Sequence, residues 1–287
     1  MLAQIVLTPA ESKKLIAKAV ARLEAVQQAA KEGIVALHPG SSTYFIVEEI
    51  TGSKPKTNYW VCGALTPRGM CVEMALGTEL TPRGESADPG ALQGTWVIEK
   101  GHQGREEKLS ILLSRMTRSD VYVKGVNALD REGNVGVLFG LKGSMGYIQA
   151  ARKKRNFTIV YPAGLEKLIP LTVKEAAKEA MFTRYESGMG MPVGLYPCPA
   201  GVTINEVRAI EILSGASAIP IASGGLGGAE GAVTFVLKGR ADKVRKALDF
   251  VEQSKGARLP DLRLCNCNDC PVPDCRFPVA DRKWASP

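Results

Sequence analysis

The chain has 287 residues, of which 45% are hydrophobic and 23% are charged, and its formal net charge is +8. These values are typical of a globular protein, and no apolar stretch approaches the roughly 20 residues of a membrane helix. Met1–Ala10 lack the charged-then-apolar order of a signal peptide, so we expect a cytoplasmic protein with no membrane partner. The positive charge suits an anionic ligand.

The first two thirds of the chain alternate between helix and strand patterns. Apolar residues recur at helical spacing over Ser12–Lys31, which predicts one long amphipathic helix. Ile34–Leu37 is a short apolar run typical of a buried parallel strand, and a helix is predicted from there to Ile50. Later strands are predicted at Tyr59–Leu65, Met70–Leu76, Thr95–Glu99, Val121–Val126, Val135–Phe139 and Phe157–Tyr161, and helices at Glu106–Arg115 and Tyr147–Arg155. This alternation predicts an α/β layer sandwich, with a loop at Thr78–Gly94.

The pattern changes near Met191. Strands are predicted at Val193–Tyr196, Ile219–Ala222, Ala232–Leu237 and Leu262–Leu264, and helices at Ile204–Leu213 and Ala241–Ser254. The order β-α-β-β-α-β is that of a ferredoxin-like α+β domain. We therefore expect an α/β ligand-binding domain at 1–190, a ferredoxin-like domain at 191–264 and a Cys-rich tail at 265–287.

The turn Gly40–Thr43 follows the first predicted strand and begins a helix. Backbone N–H groups at a helix start have no internal partner, and hydroxyl groups beside them form a seat for phosphate or carboxylate. We predict ligand-binding roles for Gly40, Ser41, Ser42 and Thr43. The alternative is that Ser41 or Ser42 is only a helix N-cap.

Two later segments also carry ligand-binding signals. Glycines in Gly140–Gly146 allow close backbone approach and Lys142 adds a positive charge, which predicts ligand contacts from Gly143, Ser144 and Gly146. Upstream, Asn127 can hydrogen-bond a ligand and Asp130 can act as a catalytic base beside Lys142. The alternative for Asn127 and Asp130 is that their side chains build a turn.

Three motifs in order, Gly40–Thr43 (GSST), Lys124–Asp130 (KGVNALD) and Leu141–Gly146 (LKGSMG), resemble the ribose-5-phosphate isomerase family. That family has a phosphate-binding TGST-type turn, a DGADE-type loop and a KGGG-type loop. Its superfamily includes coenzyme A transferases, sugar-sensing regulators and lactate-utilisation proteins, which Asp120–Gly133 also resembles. The resemblance implies a parallel-sheet layer sandwich of the isomerase/CoA transferase-like type with a ferredoxin-like second domain. It also implies a small anionic metabolite as ligand and a homo-oligomer.

The chain departs from that family at the acidic residues. Lys124 and Asn127 stand where the isomerase loop has acids, and the helix Tyr147–Arg155 lacks the family's catalytic glutamate. Proton abstraction beside a carbonyl needs a base, so we expect the ligand to bind without the isomerase's own reaction. The remaining hypotheses are a divergent isomerase-like or acyl-transfer enzyme, a non-catalytic metabolite sensor, and a metal or redox protein.

The metal hypothesis depends on four cysteines near the end of the chain, Cys265, Cys267, Cys270 and Cys275. Four thiolates this close together predict a single Cys₄ site for Zn²⁺, with an iron–sulfur cluster as the alternative cofactor. Disulfides and reduced thiols are the competing interpretations.

One basic run, Arg152–Arg155, ends a predicted helix, where cations suit the helix dipole. We interpret it as a solvated helix end. With few aromatic residues available to stack on bases, nucleic acid is not an expected partner.

Overall fold

The computed structural model describes residues 1–55, 60–72, 94–140, 143–181, 184–185, 190–264 and 267. The strands in chain order are β1 (Leu2–Leu7), β2 (Ile34–Leu37), β3 (Gly63–Thr66), β4 (Gly69–Val72), β5 (Gly94–Glu99), β6 (His102–Lys108), β7 (Val121–Val123), β8 (Ala128–Leu129), β9 (Val135–Phe139), β10 (Thr158–Pro162), β11 (Gly194–Cys198), β12 (Val202–Ile204), β13 (Ser217–Ser223) and β14 (Val233–Lys238). The α-helices are α1 (Pro9–Val20), α2 (Glu24–Glu32), α3 (Ser41–Thr51), α4 (Leu109–Arg115), α5 (Met145–Arg155), α6 (Val173–Glu179), α7 (Glu206–Ser214) and α8 (Ala241–Glu252).

A mixed six-stranded sheet in the order β12-β10-β7-β2-β5-β6 forms the centre of the molecule. Its strands β12, β10, β7 and β2 run parallel, whereas β5 is antiparallel to both of its neighbours, β2 and β6. Every residue of β2 is buried, as expected for a parallel strand covered on both faces. The predicted α/β class and the predicted buried, parallel character of this strand are confirmed.

Side chains alternate across the central sheet and supply two hydrophobic cores. Val35, Leu37 and Val123 belong to the core that also contains residues of α1, α3 and α7. Ala36 and Tyr122 belong to the core on the opposite face, which contains residues of α4 and α5. Successive residues at the end of a strand therefore point their side chains to opposite faces of the sheet.

The pairing of the C-terminal strands differs from the predicted ferredoxin-like order. The predicted hairpin forms as β13 and β14, but the strand beside β14 is β1, for which the sequence predicted no element. Strand β11 pairs with β9, and β12 joins the central sheet beside β10. The boundary predicted at residue 190 thus falls between strands that pair with each other, namely β9 with β11, β10 with β12 and β1 with β14.

Two predicted boundaries are also corrected. The single helix expected over Ser12–Lys31 is two helices, because Leu23 adopts an extended backbone before α2 begins. The helix expected from Glu106 begins only at Leu109, because Glu106 pairs with Trp96 in the sheet. Among the described residues, every helix is too short or too polar to cross a membrane.

Candidate functional site

The candidate site lies at the carboxyl ends of the two adjacent parallel strands β2 and β7. His38 follows β2 and donates its backbone N–H to the carbonyl of Val123 at 3.0 Å, and Lys124 follows β7 and donates to Val160 at the same distance. The strand register and the alternation of side chains place His38 and Lys124 on the face of the sheet that carries Tyr122. Ligands of parallel α/β sheets commonly bind at this edge.

Lys124 is the charged centre of this edge. The residue is 7% exposed, and within the described part of the chain its ammonium group makes no hydrogen bond or ion pair. Burial lowers the pKa of Lys124 to about 8, although the nearby thiols of Cys62 and Cys198 act in the opposite direction. A fraction of the amine is therefore uncharged near neutral pH, which is the state needed for nucleophilic or base chemistry.

His38 is the uncharged neighbour of Lys124. Its Nδ1 shares a 3.0 Å hydrogen bond with the hydroxyl of Tyr122, and both side chains are buried. Burial lowers the pKa of His38 well below its ordinary value, and the positive charge of Lys124 lowers it further. Burial also raises the pKa of Tyr122. At neutral pH the positive charge of this group is therefore on Lys124.

The predicted turn Gly40–Thr43 follows His38 in the chain and begins α3, whose core residues lie on the other face of the sheet from Lys124. The helix α3 has Gly40 at its N-cap without a side-chain hydrogen bond, so the alternative that Ser41 or Ser42 caps the helix is wrong. Thr43 donates its hydroxyl to the carbonyl of His38 and so holds the turn closed. Ser42 is 2% exposed, and its hydroxyl has no hydrogen-bond partner among the described residues.

Asn127 and Asp130 shape a turn. The Asn127 side-chain oxygen accepts the backbone N–H of Leu138 at 3.0 Å. The buried Asp130 carboxylate accepts the backbone N–H groups of Glu132, Asn134 and Val173 and the side-chain amide of Asn134, at 2.9–3.0 Å.

Burial raises the pKa of Asp130, but these hydrogen bonds outweigh that effect and hold the pKa below its ordinary value. The geometry matches the turn-building alternative. The catalytic role of Asp130 stays a prediction that these contacts do not support.

The second predicted turn precedes α5. Ser144 is the N-cap residue and makes no side-chain capping bond. A Cβ on Gly143 would lie 2.6 Å from the Cβ of Phe139, whereas one on Gly146 would meet open space, so of these two predicted contacts packing requires glycine at 143 alone. Lys142 lies outside the described residues. In the next turn, Gln149 donates to the Tyr161 hydroxyl at 2.9 Å, which joins α5 to the face that carries Lys124.

The predicted metal site cannot be placed from its ligands. Cys265, Cys270 and Cys275 lie outside the described residues, as does nearly all of the predicted loop Thr78–Gly94. The thiol of Cys267 lies 4.0 Å from a guanidinium nitrogen of Arg68 on the β3–β4 hairpin. Within the described ranges, His, Cys, Asp and Glu form no group of three or more that could hold a metal ion. The Zn²⁺ or iron–sulfur assignment stays a prediction.

The sequence prediction missed Lys124 and Tyr122 as members of the site. The sequence pattern marks Lys124 only as the replacement of a family acid, although a lysine directly after a buried strand is itself a signal of a charged group at a sheet edge. Comparisons with known proteins add no further assignment: the chain matches no protein-family model, no curated protein and no solved structure.

Proposed function

We propose that this protein binds a small phosphorylated or carboxylated metabolite at the edge formed by Lys124 and the turn Gly40–Thr43. The observation that carries this proposal is Lys124, which is only 7% exposed and whose charge has no anionic partner among the described residues. A buried charge without a partner is unfavourable, and a bound anion would offset that penalty.

Two neighbouring features support an anion. The N-terminus of α3 presents backbone N–H groups without a side-chain cap, and the buried hydroxyl of Ser42 has an unused hydrogen in the described structure. Helix N-termini attract anions through these N–H groups and the helix dipole. The neutral His38 adds no competing positive charge, so Lys124 would be the principal cation at the ligand.

We further propose that the chain has the layering of the isomerase/CoA transferase-like type and that it is an enzyme in which Lys124 replaces the lost acids. The support is the mixed sheet covered by helices on both faces, together with a lysine pKa of about 8. An amine with such a pKa can act as a base or attack a carbonyl group, whereas a non-catalytic sensor would need only its charge.

Ribose 5-phosphate is the probe for this site, and Ser42→Ala is the first variant. Because the hydroxyl is unpaired, its removal should leave the free energy of unfolding unchanged or raise it by up to about 1 kcal/mol. Loss of its hydrogen bond to the anion should weaken ribose 5-phosphate binding about 5- to 10-fold, as measured by isothermal titration calorimetry.

Ser114→Ala is the matched control, because this hydroxyl is exposed and bonds to the carbonyl of Ile111 in α4. It should leave the affinity unchanged. Equal affinities of Ser42→Ala and wild type would contradict the proposed seat. We expect no turnover of ribose 5-phosphate to ribulose 5-phosphate, and clear turnover would contradict our interpretation of the missing acids.

The cysteine cluster is proposed as a separate Zn²⁺ site. Metal analysis of the purified chain should give close to one Zn²⁺ per molecule, because four thiolates complete a tetrahedral site. Replacement of Cys265 by serine should reduce that ratio, and replacement of Cys71, which lies outside the cluster, should not. Iron with acid-labile sulfide instead of zinc would favour the iron–sulfur alternative, and a metal-free chain would contradict both.

Self-association also remains a proposal. The sheet formed by β1, β14 and β13 exposes large apolar side chains on one face, including Leu2, Val6 and Ile219. Exposed apolar groups of this kind are compatible with contact between copies of the chain.

A further inference from the structure

A second group of polar side chains surrounds a cleft at the opposite, amino-terminal edge of the central sheet. The cleft has a volume of about 680 Å³, within the range of small-molecule sites. Its walls come from α2, the segment before β7, the end of α5 and the starts of β10 and β12. The polar side chains are those of Gln28, Arg118, Ser119, Arg152, Asn156 and Thr158. None of the described lining residues is acidic.

Arg152 distinguishes this cleft from an ordinary basic surface. It begins the run Arg152–Arg155, for which the sequence predicted a solvated helix end. Lys153 and Lys154 are exposed as that interpretation requires, but Arg152 is half-buried and lines the cleft. Its Nε atom is buried and has no hydrogen-bond partner within the described residues. A buried charged donor without an acceptor is unfavourable, and an oxyanion in the cleft would supply the acceptor.

Arg118 provides a second cation from a different part of the fold. It lies in the segment between α4 and β7 and is exposed. Within the described part of the chain, neither Arg118 nor Arg152 forms an ion pair. Two guanidinium groups in a cleft without carboxylates suit an anion with several oxygen atoms, because each can donate two parallel hydrogen bonds.

We propose that this cleft binds a small molecule through a phosphate or diphosphate group held by Arg152 and Arg118. The amide side chains of Gln28 and Asn156 are available to neutral polar parts of the same molecule. The site is separate from the one at Lys124, because the two lie at opposite ends of the parallel strands β7 and β10.

The experiment is a titration of inorganic pyrophosphate into the full chain carrying Lys124→Met, in which the charge of the other site is removed. We expect one saturable site. Arg152→Ala should weaken binding about 10-fold or more, and Arg118→Ala about 3- to 10-fold, because each removes charge-assisted hydrogen bonds. Arg118 is exposed, so its replacement tests the site even if Arg152→Ala disturbs α5.

Lys153→Ala is the matched control, since it removes the same charge from the same helix turn but outside the cleft. It should change the affinity by less than about twofold. Absence of saturable binding, or equal weakening by Lys153→Ala and Arg152→Ala, would overturn the proposal. Tighter binding of citrate than of pyrophosphate would overturn the assignment to phosphate. None of these outcomes depends on ribose 5-phosphate binding at Lys124.

Discussion

Replacement of Lys124 by methionine should make the protein more stable at pH 7 and weaken its binding of ribose 5-phosphate about 100-fold. Methionine keeps most of the volume of the lysine side chain and removes a buried charge that has no anionic partner in the described structure. The pKa of Lys124 falls from 10.5 to about 8, and each unit corresponds to about 1.4 kcal/mol. We therefore expect the free energy of unfolding to rise by about 1–3 kcal/mol.

The pH dependence of stability gives a second readout of Lys124. Because the folded pKa lies below the unfolded value, the unfolded chain binds more protons between about pH 8 and 10.5. The contribution of Lys124 thus makes the wild-type chain more stable as pH rises through this window, and Lys124→Met should lack that contribution. Urea unfolding of both proteins at pH 7 and pH 10 measures the difference, which should shrink at the higher pH.

Lys167→Met is the control for binding. Burial also lowers the pKa of Lys167 to about 8, but its Nζ lies 3.9 Å from the carboxylate of Glu166. Removal of this lysine should leave ribose 5-phosphate affinity unchanged, whereas Lys124→Met should lower it about 100-fold. Wild-type affinity in Lys124→Met would contradict the proposed site. A lower stability at pH 7 would contradict the interpretation of an unpaired charge.

The contrast between β2 and β1 shows which parts of the fold could be predicted. Ile34–Leu37 is recognisable because a short apolar run followed by Pro39 and a polar turn is a local pattern. β1 pairs with β14 across more than 200 residues, and β12, where the sequence predicts no strand, enters the central sheet beside β10. Such pairings depend on long-range contacts that no local pattern records.

The candidate site, too, could be predicted from the sequence only in part. The turn Gly40–Thr43 could be predicted because glycine, serine and threonine after a buried strand are a local sequence pattern of a helix start. The role of Lys124 could not be predicted, because it depends on the absence of an anionic partner near its side chain in the described structure. That absence is decided by how distant parts of the chain pack. Asp130 shows the converse: its turn motif suggested two roles, and only its hydrogen bonds distinguish them.

Replacement of Asp130 by alanine should cost about 3 kcal/mol of the free energy of unfolding. The carboxylate accepts four hydrogen bonds, one of them from the buried N–H of Val173 at the start of α6. Removing it would leave the N–H of Val173 without an acceptor in a buried place and would break the three bonds to Glu132 and Asn134. The pKa of Asp130 is below its ordinary value in the folded chain, so this contribution is present above about pH 4 and is lost as pH falls through the folded pKa. Urea unfolding at pH 7 and pH 3 should show a smaller effect of Asp130→Ala at pH 3.

Asp130→Asn separates a structural role from a catalytic one. An amide can keep the oxygen that accepts Glu132 and Asn134, but its NH₂ group would then face the N–H of Val173 and the side-chain amide of Asn134. Two donors would oppose each other, so this variant should also be destabilised. Glu132→Gln alters an exposed carboxylate in the same turn and should stay within about 0.5 kcal/mol of wild type. If Asp130→Asn were as stable as wild type, our structural interpretation of Asp130 would be wrong and the predicted catalytic role would be favoured.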